Sequence, residues 1–132
     1  MKVIDSSSLA KYVNHEENWD KVSEVLREGC ISIELIVKEV GNSLWKRVMS
    51  KELTADRATA IFRGFIARNP LKLTSQEVLY ETAFSLSTRR RMTLYDALFV
   101  ELAKRLGVTL VTSDSRQAEA CREEGVEVAY VP

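Results

Sequence analysis

The sequence predicts an α/β fold in which a mostly parallel sheet is covered by helices on both faces. Two observations carry that expectation. Short β-branched runs alternate with longer stretches whose apolar residues recur at helical spacing. The junctions also share a pattern: a charged helical end, then Gly, then an apolar run. It occurs at Leu26-Arg27-Glu28-Gly29-Cys30-Ile31, at Arg105-Leu106-Gly107-Val108-Thr109-Leu110 and at Glu123-Glu124-Gly125-Val126-Glu127-Val128. Glycine supplies the left-handed backbone that ends a helix, and cations near the first two ends suit the helix dipole.

Taken in order, strands are expected at about 2–5, 30–33, 71–73, 109–112 and 126–130. Their continuous apolar character is that of strands buried on both faces, as parallel strands are. Five helical stripes lie between them: Trp19, Val22, Val25 and Leu26; Ile36, Val40, Leu44 and Val48; Ala58, Ile61, Phe62 and Phe65; Leu79, Ala83 and Leu86; and Leu94, Leu98, Leu102 and Leu106. Thr74-x-x-Glu77 reads as a capping box opening the fourth. No repeat, low-complexity tract or linker interrupts the 132 residues, so one domain over 1–132 is expected.

Composition excludes several classes. Apolar residues make up 45% and charged residues 29%, which supplies a core and argues against disorder. The 19 Lys and Arg balance 19 Asp and Glu, which disfavours a polyelectrolyte nucleic-acid binder but not a local basic patch. No apolar run nears the ~18 residues of a membrane span, and Met1-Lys2-Val3-Ile4-Asp5 turns acidic too early for a signal peptide. The expected compartment is the cytoplasm, with no membrane partner. Cys30 and Cys121 are far apart and form no zinc-type pair, so they read as apolar packing residues. Two Gln among abundant Glu, Lys and Arg is a composition of heat-adapted proteins. For such a protein a Cys30–Cys121 disulfide stays open as an alternative.

In parallel α/β sheets ligands bind beyond the carboxyl ends of the strands. Asp5 ends the first strand and Asp114 follows the fourth, so both carboxylates belong to that edge. Glu39 lies in the first two turns of the helix after strand two, and Asp96 in the first turn of the helix opened by Thr93. Asp5 and Asp114 are also good helix N-caps, and Thr93-x-x-Asp96 is a capping arrangement. Glu39 and Asp96 lack any basic residue three or four positions away, the usual reason for a helical acid. Four carboxylates in one place need raised pKa values or a bound cation. All-oxygen ligation suits Mg²⁺ or Mn²⁺, and such sites serve phosphodiester hydrolysis.

These residues resemble the PIN domain family, particularly the ribonuclease toxins of VapBC-type toxin–antitoxin pairs. The segments that carry the resemblance are Val3-Ile4-Asp5-Ser6-Ser7, Val37-Lys38-Glu39-Val40-Gly41-Asn42, Thr93-Leu94-Tyr95-Asp96-Ala97 and Leu110-Val111-Thr112-Ser113-Asp114. It implies a three-layer α/β/α fold and an acidic metal-binding and catalytic set of Asp5, Glu39, Asp96 and Asp114. Ser6, Ser7, Asn42 and Thr112 are implied as polar supports. It further implies Mg²⁺ or Mn²⁺ dependence, a homodimer, an antitoxin partner and cleavage of single-stranded RNA by water, leaving a 5′-phosphate without a His base. Gln117 departs from the pattern, since an aromatic often stands there.

Arg89, Arg90, Arg91 and Arg116 are candidate RNA contacts. The competing reading of the triple Arg run is a helix end facing its own dipole and solvent. Lys46 and Arg47 are candidates to extend the patch. Trp45 and Tyr95 read as core or interface residues before stacking platforms, and His15 as a solvated side chain. A phosphoacceptor signalling domain would need other acceptor geometry, and strand three, Leu71-Lys72-Leu73-Thr74, ends in no Asp. A PIN-like module that lost catalysis and only binds RNA or antitoxin is the remaining alternative.

Overall fold

The computed structural model describes residues 1–132. The elements run β1 (Lys2–Ile4), α1 (Ser6–Val13), α2 (Trp19–Glu28), β2 (Cys30–Ile33), α3 (Leu35–Met49), α4 (Ala55–Ala67), β3 (Leu71–Thr74), a 3₁₀ turn (Glu77–Leu79), α5 (Tyr80–Arg90), α6 (Leu94–Leu106), β4 (Leu110–Thr112), α7 (Ser115–Glu123) and β5 (Val128–Tyr130). The five strands form one sheet in the order β3-β2-β1-β4-β5, and every pair is parallel. Helices cover both faces, giving the expected three-layer α/β/α arrangement.

The order reverses between β1 and β4, where the chain leaves the first half of the sheet for the second. The register sets Val3 beside Ile31 on one side and Leu110 on the other. Such a switch point opens a crevice beyond the carboxyl ends of the two central strands. No helix is long and apolar enough to cross a membrane.

A core of 26 buried residues joins sheet and helices, with Val3, Ile4, Ile33, Leu110 and Val111 from the strands at its centre. Helix α6 is its hub. Seven consecutive residues, Ala97 to Ala103, are buried, so its apolar stripe widens to the whole circumference. Gly41 on α3 marks a close approach. A Cβ there would sit 2.8 Å from the Phe62 ring of α4, so only glycine lets the two helices pack as they do.

Some expectations need correction. Thr74 does not cap the fourth helix. It pairs with Ile33 as the last residue of β3, and the 3₁₀ turn starts after Gln76, whose side chain makes no capping bond. All three junction glycines take positive φ as expected, Gly107 and Gly125 at 66° and 73° and Gly29 at 100° with a more extended ψ of 125°. The Cys30–Cys121 disulfide is not formed. Both thiols are free and buried, and burial pushes them up to about 11 and about 12. Trp45 and Tyr95 are exposed, which removes the core half of the core-or-interface expectation. His15 is exposed and stacks on the Trp19 indole with ring centroids 4.3 Å apart.

Candidate active site

Each of the four acids sits where a helix begins beside the carboxyl edge of the sheet. Asp5 directly follows β1. Its backbone N–H still donates to Val111 of β4, while its side chain caps α1 by accepting from the Ser8 N–H at 3.1 Å. Asp114 caps α7, accepting from the N–H groups of Arg116 and Gln117. Asp96 occupies the first turn of α6, whose N-cap Thr93 accepts from the Asp96 N–H. Glu39 is the fifth residue of α3. The capping reading of Asp5 and Asp114 and the site reading are therefore compatible: the cap bonds fix where these carboxylates point.

A hydroxyl framework joins the acids. Ser6 donates to Glu39 at 2.6 Å and Ser7 to Asp5 at 2.7 Å. The Thr112 hydroxyl donates to the second Asp5 oxygen and accepts from the Asp114 N–H. The Ser113 N–H in turn donates to Ser7 at 2.9 Å. One Thr on β4 thus links the acid after β1 to the acid after β4, across the switch point. Asn42, the fourth expected support, is exposed and makes no hydrogen bond. Three of the four supports are engaged with the acids.

None of the four carboxylates is paired with a Lys, Arg or His. Asp5 is 4% exposed, and burial pushes its carboxyl up to about 6 despite three donors. The Asp96 charge pushes in the same direction. Glu39 is raised by burial and by Asp96, and Asp96 by burial and by the Asp114 charge. Asp5 and Glu39 thus both sense the Asp96 charge, and Asp96 senses that of Asp114.

The acids share an edge without converging. No three acidic, His or Cys side chains stand at ligating distance from one point. The Asp5, Glu39 and Asp114 carboxylates are each held by a nearby hydroxyl or N–H. The donor chemistry nonetheless suits a hard divalent cation: carboxylate and hydroxyl oxygens only, none of the acids ion-paired within the protein.

The Arg run divides. Arg89 donates to Glu124 at 2.9 Å, and Arg90 binds both Glu124 and Glu123 at 2.7 and 2.8 Å. These two tie the end of α5 to the end of α7, so their charge is engaged within the protein. Arg91 and Arg116 form no ion pair. They line a cavity of about 420 Å³ whose wall includes Asp96 and Asp114. Arg47 is likewise engaged, with Asn14 and Glu52.

Sequence reasoning missed three contributors. Ser8 and Ser113 exchange a hydroxyl bond at 3.0 Å behind the acids. Gln117 is buried, and its side-chain N–H donates to the Asp96 carbonyl at 2.9 Å, fastening α7 to the first turn of α6. The departure at position 117 therefore replaces packing with a hydrogen bond. A polar residue on the Gln117-Ala118-Ala120-Cys121 buried face was the available signal.

A fully parallel sheet with uncompensated carboxylates at its switch point defines a class of α/β proteins with an acidic, oxygen-lined crevice. The chain belongs to the PIN domain family, whose model matches residues 2–123. Ribonuclease VapC3 of Pyrobaculum aerophilum is 30% identical over 123 residues, 89% of this chain and 92% of that protein. Ribonuclease VapC1 of Mycobacterium tuberculosis is 36% identical over 86 residues, 65% of this chain and 63% of that protein. The crystal structure of PAE2754 from Pyrobaculum aerophilum shares the fold, with a TM-score of 0.73 at 24% identity over 96% of this chain and 89% of the other.

Proposed function

We propose that residues 1–132 act as a single nuclease domain that hydrolyses phosphodiester bonds of single-stranded RNA with Mg²⁺ or Mn²⁺, as the toxin of a type II toxin–antitoxin pair in the cytoplasm. The observation that carries this reading is the set Asp5, Glu39, Asp96 and Asp114 at one sheet edge, in no ion pair, with Asp5, Glu39 and Asp96 raised by burial and by a neighbouring acid's charge. The relatives named as VapC ribonucleases support the substrate and the antitoxin partner. An exposed apolar strip at Val78, Tyr80 and Phe84 suits the homodimer.

In this reading the four carboxylates hold the divalent ions, which when bound supply Lewis acidity at the phosphate and a nucleophilic water at neutral pH. Thr112, Ser6 and Ser7 orient Asp5 and Glu39. Gln117 holds Asp96 against the helix that carries Asp114. Arg91 and Arg116 attract the phosphate backbone. No His is needed, in accord with the exposed, stacked His15.

The second reading, an inactive PIN-like binding module, is favoured by one observation: the carboxylates are not gathered at ligating distance. Cleavage of a single-stranded RNA panel by wild type and Asp96→Asn, with and without Mn²⁺, separates the two. The nuclease reading expects Mn²⁺-dependent products from wild type and a loss of about 100-fold or more in the variant. Absence of products from wild type under any metal leaves the binding module as the function.

A further inference from the structure

The cavity between the α5–α6 turn and α7 is open, adjoins the acids and has a specific chemistry. Arg91 lies just past α5 in a left-handed conformation at φ 53°, which carries the chain away from the helix axis that Arg89 and Arg90 follow. Those two are consumed by Glu123 and Glu124, while Arg91 turns to the cavity. Arg116, in the first turn of α7, lines it as well. Both guanidinium groups are exposed and have no protein partner. A planar guanidinium suits phosphate oxygens.

Asp96 and Asp114 form part of the cavity wall, Glu119 and the Arg90–Glu123 pair stand at it as well, and Met92 and Ala120 add apolar surface. At about 420 Å³ the cavity falls in the range of roughly 300–1,000 Å³ typical of pockets for one small ligand. Arg91 and Arg116 are the lining cations that no protein acid engages.

We propose that this cavity is a single-nucleotide subsite. It seats the nucleotide next to the bond that is cut, with its phosphate on Arg91 and Arg116 and its base against Met92 and Ala120. The proposal rests on the nuclease reading and assigns its substrate contacts: Arg91 and Arg116 bind RNA, whereas Arg89 and Arg90 hold the fold. The triple Arg run is thus two devices joined at a helix end.

The test is the affinity of a short fluorescein-labelled single-stranded RNA, by anisotropy in Ca²⁺ over a salt series, beside KM and kcat for its cleavage in Mn²⁺. R91A/R116A is expected to raise Kd and KM by about 10–100-fold with kcat nearly unchanged. Each phosphate contact contributes about −0.7 to the slope of log affinity against log salt, so the double variant should flatten that slope by about 1.4. Arg63→Ala, which removes an exposed charge on α4, should leave all of these as in wild type.

A wild type that cleaves, with R91A/R116A matching its Kd, KM and salt slope, overturns the subsite and leaves the nuclease reading standing. Equal losses in Arg63→Ala overturn it too, since they show a general charge effect. A wild type that neither binds nor cleaves overturns both readings.

Discussion

Two clusters of acids in this molecule have opposite fates. At the ends of α5 and α7, the Glu124 carboxylate receives Lys104, Arg90 and Arg89, each within 2.9 Å. Hydrogen bonds from Lys104 and Arg90 hold it down to about 2. At the carboxyl edge of the sheet, Asp5, Glu39 and Asp96 have no cationic partner and are raised. The two clusters share α6, through Lys104 and Asp96, and α7, capped by Asp114 at one end and Glu124 at the other. Cations placed around an acid make a clamp; cations withheld from acids leave a site that repels itself and attracts something from outside. The chain's zero net charge conceals this division.

The clamp should break with the largest loss of stability. Glu124→Ala strands three cations at once and is expected to cost about 1–3 kcal/mol, below a fully buried network because those cations reach water. A carboxyl at about 2 when folded and near 4.5 when unfolded contributes stability above about 4.5 and loses it as pH falls toward 2. Denaturant melts of wild type and Glu124→Ala should therefore differ at neutral pH and draw together near pH 2.

Gln117→Leu sharpens the comparison from the other side, because it touches no charge. It should remove about 1 kcal/mol by leaving the Asp96 carbonyl without its donor. Cleavage should fall about tenfold through misplacement of Asp96, as loss of a supporting bond typically does. The readouts are a thermal melt and kcat, and Gln117→Glu, protonated at low pH, should recover part of the rate there.

The smallest effect has the opposite sign. Asp96→Asn removes a charge that Asp5 and Glu39 sense and that Asp114 disfavours. In EDTA it should raise the melting temperature at neutral pH by about 2–5 °C. Folding raises the Asp96 carboxyl above its ordinary 3.8, so its ionisation costs stability as pH climbs past that value. The gain of the variant should therefore vanish at low pH, where the carboxyl is protonated both folded and unfolded.

Local patterns made much of this legible. Gly junctions and helical stripes located the five strands and five of the helices, because burial imposes those periods. Helices α1 and α7 carried no such stripe. They are short and bury few large apolar residues, Leu9 beside Ser8 in one and Gln117, Ala118, Ala120 and Cys121 in the other. The Thr74 box failed because a strand ladder outcompeted a local cap. The placement of Asp5, Asp114 and Glu39 followed from the carboxyl-edge rule applied to parallel strands, whereas Asp96 lies on a helix that follows another helix, outside that rule. Their spacing was not legible, since it depends on contacts between elements far apart in sequence. The division of the Arg run was equally hidden, because its partners Glu123 and Glu124 lie more than thirty residues away in sequence.

The central claim is that the acids at the sheet edge are uncompensated because a divalent cation completes them. Thermal melting of wild type and Asp96→Asn over a Mn²⁺ titration tests it directly, without RNA. A ligand that binds only the folded state at 100 times its Kd adds about 2.7 kcal/mol. The wild-type melting temperature should climb with Mn²⁺ by several degrees, and the variant should start higher in EDTA but climb little. A wild-type melt indifferent to Mn²⁺ and Mg²⁺, or an equal climb in Asp96→Asn, would contradict it.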